Sequence, residues 1–176
     1  YFRARLVKQQ QGADVDKEEG WAYQTDLLEQ GSLLVSVAGD YWALRRQYFA
    51  KVVMLVISHT DQFTAAVVLN RPTSLTTGDV NLGPSDKTLD DEEWNVWFGG
   101  DCEGLEVEKG GASKMFCLHT SEKLAEQSSQ IIKGVYQIDF DVAQRLAWRG
   151  IASKEDFMVI VGYTGWGPGQ LQGELD

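Results

Sequence analysis

The last fifteen residues, Gly162 to Asp176, read GYTGWGPGQLQGELD and set five glycines and one proline around a single tryptophan. They follow the apolar run Phe157 to Val161, so the pattern predicts a buried strand that passes through a turn-rich corner into a short terminal helix. Glycine permits φ > 0 or close approach by another group, while Pro168 fixes φ and removes a backbone donor. The corner is therefore shaped rather than loose. Gly165, Trp166, Gly167, Pro168, Gly169 and Gln170 are read as architectural, with Trp166 packed beneath or beside the bend. A glycine-rich strand-to-helix corner is also where anion-binding loops sit. Here no lysine follows the glycines, Pro168 offers no amide, and Glu174 and Asp176 add negative charge.

At 176 residues and 43% hydrophobic content, the chain is long enough to bury one substantial core as a single domain. Lys and Arg number 16 against 26 Asp and Glu, a formal net charge of -10. Such a field repels phosphate backbones and anionic lipid surfaces. The densest basic clusters, Arg3, Arg5 and Lys8, then Arg45, Arg46 and Lys51, are too sparse to follow a nucleic-acid backbone, so no direct nucleic-acid role is expected. The longest apolar run, Val52 to Ile57, is far short of the roughly 20 residues a spanning helix needs, so a transmembrane protein is not expected. Cys102 and Cys117 form no disulfide framework, which fits a reducing compartment.

Residues 1–30 are polar and mixed in charge and read as an N-terminal arm that stays mobile or lies along the domain or a partner, with Trp21 and Tyr23 as candidate partner contacts. The folded domain is expected over 31–176. Strands are predicted at Leu33 to Val37, Val52 to Ser58, Ala65 to Leu69, Trp94 to Phe98 and Met115 to His119, with the second and third as an antiparallel pair. A hairpin is expected over Ile131 to Ile138, and a helix or wide turn over residues 41–49. Thr73 to Glu93 reads as a surface excursion. The clearest helix is Phe140 to Arg149, with Val142, Ala143, Leu146 and Ala147 on one face, Asp139 as cap and Gly150 as stop. Consecutive hairpin-like strands with few crossover helices predict an α+β fold with a mostly antiparallel sheet or partial barrel flanked by helices.

Chemistry-bearing residues are few. His59 and His119 each end a predicted strand. A metal set would combine them with Cys117 and Cys102, since Cys117 and His119 share a strand face, but C-x-H alone is weak and a buried thiol beside a hydrogen-bonded imidazole is the plainer account. A Cys117 nucleophile with His119 as base lacks an evident orienting carboxylate. No catalytic residue, cofactor or metal is assigned, and the chain is expected not to be an enzyme. Arg71, between Asn70 and Pro72, either clamps an anion or ties down the C-terminal corner; Pro72 favours the second.

The segments GSLLVS at Gly31 to Ser36, VVMLVISH at Val52 to His59, VVLNRP at Val67 to Pro72, FGG at Phe98 to Gly100, CLHT at Cys117 to Thr120 and GYTGWGPGQLQGEL at Gly162 to Leu175 together resemble the YqgE/AlgH family, also called UPF0301 or DUF179. The similarity runs from about residue 21 to the end in the family's order. Asp101 stands where bacterial members usually have proline, and the acidic excursion before Trp94 and the Trp21 to Tyr23 segment look more like plant and algal forms. The resemblance implies a compact α/β fold, a plastid location, otherwise a cytoplasmic one, and a historical label of transcriptional regulator with no established reaction or cofactor.

Two functions are therefore expected to compete. One is a non-enzymatic protein-binding or regulatory module, an accessory subunit of a multisubunit plastid complex, using its arm and exposed aromatics. The other is a small-molecule-binding protein or enzyme with a pocket gathering Asn70, Arg71, His119 and Trp166. On the first reading Asn70, Arg71, Pro72, Gly99, Gly100 and His119 are structural, like the Gly165 to Gln170 corner.

Overall fold

A computed structural model describes residues 4–9, 22–36, 49–80, 93–105 and 113–175. In chain order the strands are β1 (Ala4–Gln9), β2 (Ala22–Gln24), β3 (Leu33–Ser36), β4 (Val53–His59), β5 (Thr64–Val68), β6 (Pro72–Thr76), β7 (Asn95–Phe98), β8 (Met115–His119), β9 (Ser129–Ile132), β10 (Val135–Asp139), β11 (Met158–Val161) and β12 (Thr164–Trp166). The α-helices are α1 (Phe140–Trp148) and α2 (Gln170–Leu175). The strands form two six-stranded sheets, ordered β12-β5-β4-β3-β1-β2 and β6-β7-β11-β8-β10-β9. The expected α+β class with mostly antiparallel pairing is what the molecule has. One pair, β11 with β7, is parallel. The described residues divide into two compact units, one made of those up to Asn70 and from Gly165 on, the other of Arg71–Thr164.

The first unit is organised by β4 and β5. Every residue of β5, TAAVV, is buried, which is why Ala65 to Val68 read as an unbroken apolar run rather than an alternation. Leu34, Val52, Met54 and Val56 complete its interior. Two serines of the GSLLVS segment serve the backbone: Ser36 Oγ accepts from Val52 N–H at 2.9 Å and Ser32 Oγ from Glu29 N–H at 3.2 Å. Within the stretch read as an arm, β1 pairs with β3 and β2 pairs with β1, Tyr23 lying opposite Lys8. Trp21 and the 41–48 part of the predicted helix or turn lie outside the described residues.

The second unit packs α1 against β8 and β10. Its core gathers Trp94, Val96, Cys117, Leu124, Ile138, Phe140, with Leu146 and Val159 among others. Each such large apolar side chain removed from water contributes about 1.5–3 kcal/mol. The hairpin β9–β10 turns at Gly134, φ 79°, as its glycine implied.

Two expectations need correction. The expected excursion over Thr73 to Glu93 begins as strand: Thr73–Thr76 is part of β6, where Pro72 and Thr76 pair with Trp97 and Asn95 of β7 and Thr73 Oγ1 donates to Val96 C=O at 2.7 Å, while residues 81–92 lie outside the described residues. The polar residues of β6 hide an edge strand, where proline at the first position costs no ladder bond. Asp139 occupies the N-cap of α1, but its side chain makes no capping hydrogen bond. The helix stop is as read: Gly150 at φ 66° donates to Ala147 C=O at 2.9 Å, and Ile151 N–H reaches Leu146 C=O at 3.0 Å. This paired closure satisfies two carbonyls that the helix end would otherwise leave open.

Candidate functional site

In the first unit, Asn70 works as a backbone clamp. Its Oδ1 accepts from Val53 N–H at 3.0 Å and its Nδ2 donates to Lys51 C=O at 2.9 Å. That holds the turn into β4, where Lys51 has φ 56°, a region non-glycine residues seldom enter. His59 Nδ1 meets Thr64 Oγ1 at 2.8 Å across the β4–β5 hairpin.

Trp166, also in the first unit, is buried, and its Nε1–H donates to Glu174 Oε2 at 3.1 Å. Gln170 bridges the same corner, accepting from Gly167 N–H at 3.2 Å and donating to Glu174 Oε1 at 3.3 Å. Gly169 has φ 69°, and Gly167, Pro168, Gly169 and Gln170 are all exposed. The terminal motif thus builds a closed corner from its own side chains.

In the second unit, Arg71 C=O accepts from Phe98 N–H at 3.0 Å and Gly99 N–H donates to Val161 C=O at 2.8 Å. Gly99, Gly100, Gly104 and Gly162 form a seam of backbone against backbone. A Cβ on Gly100 would lie 2.1 Å from the Tyr163 carbonyl carbon, and one on Gly162, φ 75°, would lie 2.6 Å from Gly104 Cα. Cys102 and Tyr163 exchange backbone hydrogen bonds at 2.8 and 3.0 Å beside it.

His119 is 3% exposed, stacked on Tyr136 with ring centroids 5.3 Å apart, and edge-on to Phe157. Its Nδ1 accepts from Ser121 N–H at 3.2 Å, so the ring proton sits on Nε2 and donates to Ser128 Oγ at 2.8 Å. Ser128 Oγ donates onward to Leu124 C=O at 2.7 Å. Burial lowers the His119 pKa, outweighing the opposing pull of Asp156. Burial pushes the Cys117 thiol far up, and the Asp139 charge adds to this. The Cys117 thiol is buried, and both ring nitrogens of His119 are engaged in hydrogen bonds to other residues. Among the described residues no three His, Cys, Asp or Glu side chains gather as a metal set.

The pocket alternative draws Asn70 and Trp166 from the first unit and Arg71 and His119 from the second. The side-chain hydrogen bonds given above for Asn70, Trp166 and His119 each lie within one unit.

A cavity of about 340 Å³ lies elsewhere in the second unit, lined by Trp94, Gln144, Ala147, Trp148 and Ala152 with residues 153–155. Phe140, Gln144 and Trp148 recur at four-residue spacing along one side of α1. Trp94 is set by Thr77, whose Oγ1 accepts from Trp94 N–H at 3.2 Å, and by ring contacts with Phe140 and Phe157 at 5.5 and 5.9 Å. Gln144 is 4% exposed, yet its Nε2 has no hydrogen-bond partner. Trp148 is 71% exposed and Ile151 57%. In sequence a glutamine inside a helix reads as part of its wet face, which hides Gln144. The F-x-x-x-Q-x-x-x-W spacing was the available signal.

Residues 40–176 match the family model described as DUF179, AlgH-like. A UPF0301 protein of Streptomyces coelicolor is 30% identical over 150 residues, covering 82% of this chain and 69% of that one. One from Sinorhizobium medicae is 28% identical over 149 residues, covering 82% and 70%. The solution structure of the AlgH protein from Pseudomonas aeruginosa aligns with TM-score 0.54 at 18% identity, over 99% of this chain and 72% of that one, a likeness of fold. The motifs that close the Trp166 corner and the glycine seam lie inside the matched region, and the chain belongs to the AlgH-like DUF179 family.

Proposed function

We propose that this chain is a non-enzymatic protein-binding module, a regulatory or accessory subunit of a larger plastid assembly, and that it engages its partner through the end of α1. The observation that supports this is the exposure of Trp148 and Ile151 around the helix stop. In this kind of helix closure the apolar residue after the glycine commonly folds back onto the last turn. Here Leu146 is buried while Ile151 stays 57% exposed. Tryptophan supplies large contact area at little cost in side-chain freedom and is enriched at the centres of protein interfaces. The net charge of -10 favours a protein partner over nucleic acid. The plastid placement rests on the likeness of the Trp21 to Tyr23 segment and the acidic insertion to plant and algal forms; the relatives compared above are bacterial.

The test is isolation of the tagged protein from native extract in three forms: wild type, Trp148→Ala and Ile151→Ser. Wild type brings down a partner in fixed stoichiometry, and the variants lose it with unchanged melting. Isolation of the wild type alone, or full retention by both variants, overturns the reading. Imaging of a fluorescent fusion of the complete gene product tests the plastid placement, which a purely cytosolic signal defeats.

A further inference from the structure

We infer that His119 is an acid-released catch: proton uptake at its Nδ1 frees the turn from Ser121 to Ser128 and uncovers Leu124, while the sheet beneath stays closed. A 3₁₀ helix runs over Glu122–Gln127, with Ser121 as its N-cap and Ser128 as its C-cap. The two nitrogens of one ring hold its two ends, Nδ1 taking the Ser121 N–H and Nε2–H reaching Ser128 Oγ. Its own closing bonds, Leu124 N–H to Ser121 C=O and Ser128 N–H to Ala125 C=O, are both 3.2 Å, in a type of helix whose bonds are poorly aligned. Leu124, 2% exposed, is the buried side chain it delivers to the core.

Each hydrogen of this set has one place. Ser128 Oγ gives its own proton to the Leu124 carbonyl and therefore accepts from Nε2, which leaves Nδ1 bare for the Ser121 amide. A second ring proton must go to Nδ1, where it meets that amide donor against donor. The neighbouring charges do not hold such a cation in place. Asp156 favours it, but burial outweighs that pull and lowers the ring's pKa. From β10, Tyr136 stacks on the ring and Asp139 acts on Cys117. On α1, Asp141 and Arg145 pair with each other. Glu122, Lys123 and Glu126 on the turn are exposed, Glu155 bonds Ser153 Oγ, and β11 has no ionisable side chain. In the opened turn the ring regains a pKa near 6.5, so between that value and the lowered one the open form carries one proton more and its population grows about tenfold per pH unit of acidification.

The test follows imidazole and backbone NMR signals of the isotope-labelled full chain from about pH 7.5 to about pH 4.5, well below the melting temperature. The His119 ring titrates with a midpoint below 6.5. The Ser121, Leu124 and Ser128 amides shift with the same midpoint and lose hydrogen-exchange protection about tenfold per pH unit, while β11 and α1 keep native signals. His119→Gln, which offers one acceptor and one donor without titrating, keeps the turn closed throughout. Ser128→Ala removes the Nε2 partner and lowers protection of the turn about fivefold at neutral pH. A ring that protonates with the turn's amides unmoved, a ring that stays neutral over the whole range, an acid response that persists in His119→Gln, or loss of all native signals together overturns the inference.

Discussion

The indole N–H of Trp166 ends on a carboxylate oxygen of Glu174, 3.1 Å away and eight residues on, so the last strand and the last helix are joined through a single proton. Replacing Glu174 with leucine strands a buried donor, and loss of about 1–3 kcal/mol is expected in urea unfolding. Glutamine retains an acceptor and keeps most of that stability. Equal losses in the two variants would show that the charge, not the hydrogen bond, holds the corner.

His119 makes stability fall with acid. Its folded pKa lies below the usual 6.5, so the unfolded chain takes up the proton first. The contribution is complete above about pH 6.5 and is lost as the pH drops through the lowered value. Melting temperatures followed from about pH 7.5 down to about pH 5 should fall less steeply for His119→Gln than for wild type. Parallel curves would exclude this histidine as the source.

The two cysteines should separate cleanly. Cys117 is fully buried with a raised pKa, whereas Cys102 is partly exposed. An aromatic disulfide reagent should label one thiol in the native protein and the second only after denaturation. Rapid native labelling of Cys117 would contradict its packing.

Gly100→Ala drives a methyl group into the Tyr163 carbonyl and the Thr164 amide nitrogen. A loss of about 3 kcal/mol or more is expected. Gly167→Ala, with open space at its Cβ, serves as the control and should change stability by less than about 1 kcal/mol. Comparable melting of the two variants would remove the seam from the fold's essential contacts.

The strands most legible in sequence are those whose burial is uniform. The β5 run TAAVV and the β8 run MFCLH sit between residues of different character, and both formed where expected. The Phe140 helix announced itself by period and by Gly150. By contrast β6 reads PTSLT, whose polarity suits an edge strand and a loop equally. The parallel pairing of β11 with β7 joins residues more than sixty positions apart, and no local pattern encodes it. The site was harder still. Motif glycines and Asn70 could be recognised as special, but their work, clamping Lys51 or letting two backbones touch, depends on who arrives from elsewhere in the chain. The F-x-x-x-Q-x-x-x-W spacing places Gln144 on one side of α1, but its other neighbours in space come from a strand entry and a later turn, which no local pattern encodes.

At the glycine seam, the atoms that would collide with a new methyl on Gly100 belong to the main chain, which every amino acid shares. Trimming a neighbouring side chain therefore relieves nothing. A random search for second-site revertants of Gly100→Ala should return true reversion at codon 100 far more readily than compensation at position 163 or 164, however many clones are screened.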